Sequence, residues 1–274
     1  MNADSQPRPP VKMSDQVFKD ASRSAKLLRA SRRHPLQLSK ALRGVPGLTR
    51  LIRSLPSLVV PMSEVDRPVA ERLQHGQRLP GMRGRRLCQA VLPLEATQKK
   101  YLTGKSRQAL RTNLSRARDL GITCAVVVTE DDKQALVQAM SKGQREVHAR
   151  DEEMFRFPQD VTWMEARSGD GEQIAMALIS QSSRYGLLIR LFARTDHLAS
   201  SQARFALHSA VVEHVRANGG EYLLVEGKGP LLLEPGIQYF QHLNGYRLMN
   251  VRLEGAANGA RQGVAVGPER LAGT

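Results

Sequence analysis

From about residue 85 onward the sequence switches repeatedly between short β-branched apolar runs and helical amphipathic stretches, and this alternation most constrains the fold. Residues 86–94 (RLCQAVLPL) have the composition of a strand. In 104–120 (GKSRQALRTNLSRARDL), Leu110, Leu114 and Ala117 share one face at 100° per residue, which predicts an amphipathic helix. Gly121 closes it in the C′ position. The run 122–129 (ITCAVVVT) is nearly all apolar or β-branched, the pattern of a strand buried on both sides. Asp131 or Asp132 can cap a helix running to about 149. A polar loop with Phe155, Phe157 and Pro158 follows, then strands at 173–181 and 186–194 joined as a hairpin across SSRY. A helix opens at Ser200 or Ser201, carries Leu207, Val211 and Val215 on one side, and stops after Ala217 at Asn218-Gly219-Gly220. A short strand at 221–225, a short helix at about 235–243 and a strand at 246–253 complete the pattern.

The order from residue 85 is β-α-β-α-β-β-β-α-β-α-β. It predicts an α/β (α+β) domain over 81–254, a mixed sheet covered by helices. The Gly/Ala-rich stretch 255–274 reads as a disordered tail, and no internal repeat is present.

Charge divides the chain differently. Of 41 Lys and Arg against 26 Asp and Glu, residues 1–120 hold 25 bases against 8 acids, and 121–274 hold 16 against 18. The formal surplus of +15 therefore belongs to the first half. Such asymmetry points to nucleic acid or an anionic membrane as a partner. Residues 21–63 contain nine bases and no acid, interleaved with leucines and interrupted by Pro35, Pro46 and Pro56. We read 1–80 as a basic leader, partly disordered, with two or three short amphipathic helices. The competing readings are a solvated leader whose leucines cap the main domain, and a transit peptide. No apolar run approaches the roughly 18 residues of a membrane span, and MNADSQPRPP lacks the apolar core of a secretory signal. Cys88 and Cys124 each sit in an apolar strand without a CxxC, as reduced buried thiols do. The expected location is cytoplasmic, or peripheral at a membrane.

Several chemistries find no support. The seven histidines form no HExxH and none joins a cysteine at ligand spacing, so no metal is expected. Gly227-Lys228-Gly229-Pro230 follows a strand but lacks GxxxxGK[ST], and no GxSxG nucleophile is present.

Two segments carry a family resemblance. FQHLNGYR (240–247), on a helix-to-strand turn, resembles the closing motif of the GNAT superfamily of N-acyltransferases. KSRQALRTNLSRARDLGITC (105–124) resembles the basic helix and strand of the GNAT-like branch related to Fem-type aminoacyltransferases and cellulose-biosynthesis acyltransferases. The resemblance implies a GNAT-like mixed sheet and a donor that is acetyl-CoA or another acyl-CoA, or an aminoacyl-tRNA as in Fem-type relatives. The acceptor it implies is an amine or hydroxyl. It also implies strands that splay to admit the donor and a helix N-terminus for its pyrophosphate. On this reading Arg194, Ser200, Ser201 and Arg204 are the pyrophosphate candidates. The segment departs from the family in having no glycines between Arg194 and Arg204. Glu226, at the end of the 221–225 strand, is the candidate base. The family's acid, a tyrosine, aligns with Gln241, which leaves Tyr239 as the candidate acid. Lys105, Arg107, Arg111 and Arg118 are candidate anion or nucleic-acid contacts. The alternative to an acyl-CoA transferase is a catalytically inactive GNAT-fold module that binds tRNA, other nucleic acid or an anionic membrane surface through the basic half.

Overall fold

A computed structural model describes residues 46–47, 49–75, 85–142, 161–227, 233 and 235–254. A helical stretch at 49–54 leads into β1 (Ser57–Pro61), α1 (Arg67–His75) and β2 (Arg85–Pro93). Then come α2 (Gln98–Tyr101), a 3-10 turn (Lys105–Arg107), α3 (Gln108–Asp119), β3 (Thr123–Val127) and α4 (Glu130–Lys142). Three consecutive strands follow: β4 (Val161–Arg167), β5 (Gln173–Gln181) and β6 (Tyr185–Ala193). The rest is α5 (Ser200–Ala217), β7 (Tyr222–Val225), α6 (Pro235–Asn244) and β8 (Arg247–Glu254). The predicted order holds from β2 onward, with the short α2 as an addition. The strand for which the sequence reading offered no span is β4, whose paired Trp163, Met164 and Ala166 are buried.

The eight strands form one sheet in the order β1-β8-β2-β7-β6-β5-β4-β3. Only β1/β8 and β6/β7 are parallel. Parallel neighbours need a crossover, and α5 supplies the one between β6 and β7. One face of the sheet packs under α2, α3, α5 and α6, around Leu110, Ile179, Leu207, Val211 and Leu223. The opposite face has two separate clusters. Val69, Ala70 and Leu73 of α1 cover β1, β8, β2 and β7, and Leu136 and Met140 of α4 cover β3, β4 and β5.

Three expectations are corrected. First, within the expected leader 1–80, Ser57–Pro61 forms the edge strand of the sheet and Arg67–His75 a helix packed on its face. Ser57–Pro61 pairs with Asn250–Glu254, Val60 and Val69 are fully buried, and the Tyr185 hydroxyl donates to Val59 O (2.9 Å). The valines and leucines there serve packing rather than a membrane, whereas the basic segment over 21–45 lies outside the described residues. Second, the 122–129 strand is an edge strand. Among the described residues it pairs only with β4, and Val128 beyond it is 77% exposed, so its apolar composition does not report burial on both sides. Third, α4 is capped by Thr129, whose hydroxyl accepts from the Asp132 amide (3.1 Å), while Asp131 and Asp132 sit in the first turn. The expected continuation of α4 to 149 lies outside the described residues beyond 142, as does the 255–274 tail. The end of α3 is as predicted. Gly121 is left-handed (φ 67°), with Ile122 N donating to Ala117 O and Gly121 N to Arg118 O, the two bonds of a Schellman closure.

Candidate active site

The central parallel pair is short. β6 and β7 match only over Tyr185–Leu188 and Tyr222–Val225, and the Glu226 amide adds one further bond to Leu188 O (2.9 Å). β6 continues to Ala193, paired on its other side with β5, but past Glu226 no described strand lies beside it. β2 stands on the far side of β7 and extends past the end of β7. Among the described residues a notch therefore opens between β6 and β2, two strand spacings or roughly 10 Å wide, with Glu226 and Gly227 at its floor.

Both walls of the notch are bulged. On β6 the register shifts opposite Leu178 and Ile179, leaving Ile189 as the extra residue. On β2 it shifts between Arg86 and Gln89, where Cys88 takes a left-handed φ of 54°. The second bulge is held by side chains. Gln89 Nε2 donates to Val225 O, Arg86 Nε to Leu73 O, and Arg86 Nη1 contacts Gly227 O (3.5 Å) and Gln89 Oε1 (3.4 Å). Arg86 is only 2% exposed, and its Nη2 has no hydrogen-bond partner among the described residues. Burial lowers its pKa, and the nearby Glu226 carboxylate acts in the opposite sense. Burial likewise pushes the Cys88 thiol up to about 12, so it stays protonated and is no nucleophile.

On the α5 side of the sheet, the N-terminus of α5 lies just past the end of β6. The Ser200 hydroxyl donates to Arg194 O and His197 O, closing the turn rather than facing solvent. Arg194 is ion-paired with Glu172 and Asp196, and its pKa is raised chiefly by the Asp196 bond. These two candidates are thus engaged within the turn. Ser201 is exposed, and the Ser201 and Gln202 amides have no backbone acceptor among the described residues, as expected of a first helical turn. The Arg204 guanidinium lies over the Phe240 ring of α6 (5.7 Å), and its Nε is buried without a hydrogen-bond partner among the described residues. Of the expected set, Ser201 and Arg204 are therefore the members left to meet an anion, and the Gln202 amide, which was not among the candidates, joins them.

The α6–β8 turn gathers polar side chains that the sequence reading did not single out. His208 Nε2 and the Tyr246 hydroxyl are 2.9 Å apart, and Phe240 meets His208 edge-on. Burial holds His208 down to about 3 and raises Tyr246, so both are neutral. Arg107, expected to contact an anion, turns inward. Its Nη1 donates to Leu243 O (3.1 Å), it lies over Tyr101 (5.5 Å), and it fills the space beside Gly245, whose φ is 86°. It caps α6. Arg111 donates to Leu102 O (2.7 Å) and Gly104 O (2.9 Å), bracing the loop before α3. Lys105 and Arg118 are exposed, as the anion-contact reading requires. Gln241, the aligned position of the family's tyrosine, is buried, and Tyr239 is 63% exposed on the outer side of α6. A separate cleft of about 550 Å³ lies between α4 and the β4–β5 turn, lined by Asp132, Arg167, Glu172 and Arg194. Its arginines are already paired with carboxylates. Among the described residues no cluster of three or more His, Cys, Asp or Glu could hold a metal, and no helix is long and apolar enough to cross a membrane.

A mixed sheet whose central parallel pair ends, among the described residues, beside a helix N-terminus fits the arrangement the sequence resemblance implies. The fold is GNAT-like. Among solved structures the chain is similar to FemX, with 10% identity and a TM-score of 0.48 over 79% of this chain and 75% of that one. It is similar to L-PGS from Bacillus licheniformis, with 14% identity and a TM-score of 0.43 over 61% of this chain and 60% of that one. It is also similar to a GCN5-related N-acetyltransferase from Kribbella flavida, with 14% identity and a TM-score of 0.36 over 60% and 54%. The chain thus spans less than two thirds of the length of the last two. No family model matches the sequence, and no curated protein matches it. Likeness at such identities concerns the fold and carries no activity across.

Proposed function

We propose that the chain is an acyltransferase that moves an acyl group from an acyl-CoA to an amine or hydroxyl at the notch beside β7. The observation that carries this reading is that an opening in the sheet has an accessible helix N-terminus on one side and a carboxylate, Glu226, at its floor. The Ser201 and Gln202 amides, the α5 dipole and Arg204 would receive the donor's pyrophosphate. The pantetheine would run along the edge of β6, whose backbone groups from Ile189 to Ala193 have no described strand to bond on that side. Glu226 accepts the proton of the attacking amine as the new C–N bond forms. The thioester C–S bond then breaks, and the departing thiolate takes a proton from water, or from Tyr239 if α6 turns that side chain towards the notch.

Isothermal titration with acetyl-CoA, longer acyl-CoAs and charged tRNA tests the reading. Binding of an acyl-CoA, with affinity about tenfold weaker in Arg204→Gln, is the expected result, since one charge-assisted hydrogen bond is lost. Preference for charged tRNA would move the donor to the aminoacyl ester. Absence of binding by every donor overturns the reading.

A further inference from the structure

Three charged side chains on neighbouring strands share the sheet face covered by α1 and α4. Arg86 of β2 lies opposite Val251, which packs in the α1 cluster, and its Nε reaches α1 itself. Glu226 is two residues past Leu224, which packs in that cluster, and the ladder continues through its amide. By the two-residue period of a strand its side chain belongs to the same face. Arg190 of β6 lies opposite Leu178, which packs in the α4 cluster. The bulge at Ile189 decides this. Leu188 packs on the α5 side, so without the extra residue Arg190 would point there too.

The row Arg86, Glu226, Arg190 thus crosses β2, β7 and β6 from the α1 cluster to the α4 cluster. Its members differ in partners. Arg86 is buried and bonded to carbonyls, with Glu226 close enough to act on it electrostatically. Arg190 is exposed and has no hydrogen bond or ion pair among the described residues. Two arginines and one carboxylate on this face leave the row with a positive balance, so an anion arriving beside it is attracted rather than repelled.

We propose that Arg190 binds an anionic group of the acceptor substrate, a carboxylate or phosphate within about three bonds of the nucleophile, and so holds that nucleophile at Glu226. The guanidinium fork fits either oxyanion with two parallel hydrogen bonds. The span follows from the neighbouring strands, which lie about 4.8 Å apart. The inference rests on the reading of Glu226 as the base, and it assigns the acceptor to the face opposite α5, where the donor lies.

The test uses the full chain without donor, titrated by thermal shift with methylamine, glycine and aminomethylphosphonate, which differ only in the anion. One of the two anionic amines should bind at least about tenfold tighter than methylamine, and which one does so distinguishes carboxylate from phosphate. In Arg190→Gln that preference should fall to near unity, while Arg190→Lys retains part of it. The melting temperature of either variant without ligand should match wild type, because the side chain is exposed and unpaired. Equal binding of the three amines overturns the proposal, as does a preference unchanged in Arg190→Gln. Because no donor is present, a failure of donor binding removes the acyltransferase reading and leaves this outcome standing, and the reverse also holds.

Discussion

His208 shows how one buried side chain ties stability to pH. The fold holds it down to about 3 against an ordinary value of 6.5, because burial disfavours the imidazolium. Between those values the unfolded chain binds a proton that the folded chain refuses. Its contribution is intact above about 6.5 and is lost as pH falls towards 3, by a few kcal/mol in all. Urea midpoints measured from pH 7 to pH 4 should therefore fall less steeply for His208→Gln, which still offers the Tyr246 hydroxyl a partner and does not titrate. Arg107 makes a different point. It lies in a basic amphipathic stretch where every arginine looks alike, and only the packing of α6 onto α3 separates it from Arg118. Arg107→Ala should cost about 1–3 kcal/mol, as the Leu243 carbonyl loses a charged donor. Gly245→Ala should destabilise comparably, since its φ of 86° disfavours a side chain and Arg107 occupies the space. Chemical denaturation of both variants checks this.

At the level of elements, the signals that depend on neighbours in sequence could be read. The glycine closure of α3 and the start and stop of α5 rest on local backbone chemistry, and the structure has them where expected. Composition misled where the tertiary neighbours decide. β3 is as apolar as a central strand yet sits at the sheet edge, and the run of short leucine-rich pieces before residue 63 contains a strand. Capping of α4 was ambiguous because Thr129, Asp131 and Asp132 are all capping residues, and only the entry path of the chain selects the first. Thr129→Ala should cost α4 about 1 kcal/mol, whereas Asp131→Ala should change stability by about half that or less. Thermal melts of the two variants distinguish them.

At the scale of the whole molecule, β1 closes one edge of the sheet, and its contribution can be isolated. A chain beginning at residue 63 loses the burial of Leu58 and Val60 and unpairs β8, whereas one beginning at residue 46 keeps both. The shorter chain should be less stable by several kcal/mol, as expected for losing two buried aliphatic side chains and a strand ladder. Comparison of their urea midpoints measures this directly.

The sequence by itself determined the order of the main elements from β2 onward, the α/β class, the GNAT resemblance of 240–247 and Glu226 as the residue following β7. All of these follow from periodicity, local turn chemistry and motif. Only the tertiary structure decided which charges are available. Strand neighbours, the two bulges and helix packing turn Arg107 and Ser200 inward, engage Arg194 with carboxylates, and bring Arg86 and Arg190 onto one face with Glu226. Residues 86, 190 and 226 are far apart in the chain, and the register of β2, β7 and β6 that aligns them comes from long-range pairing and burial, which no local pattern encodes.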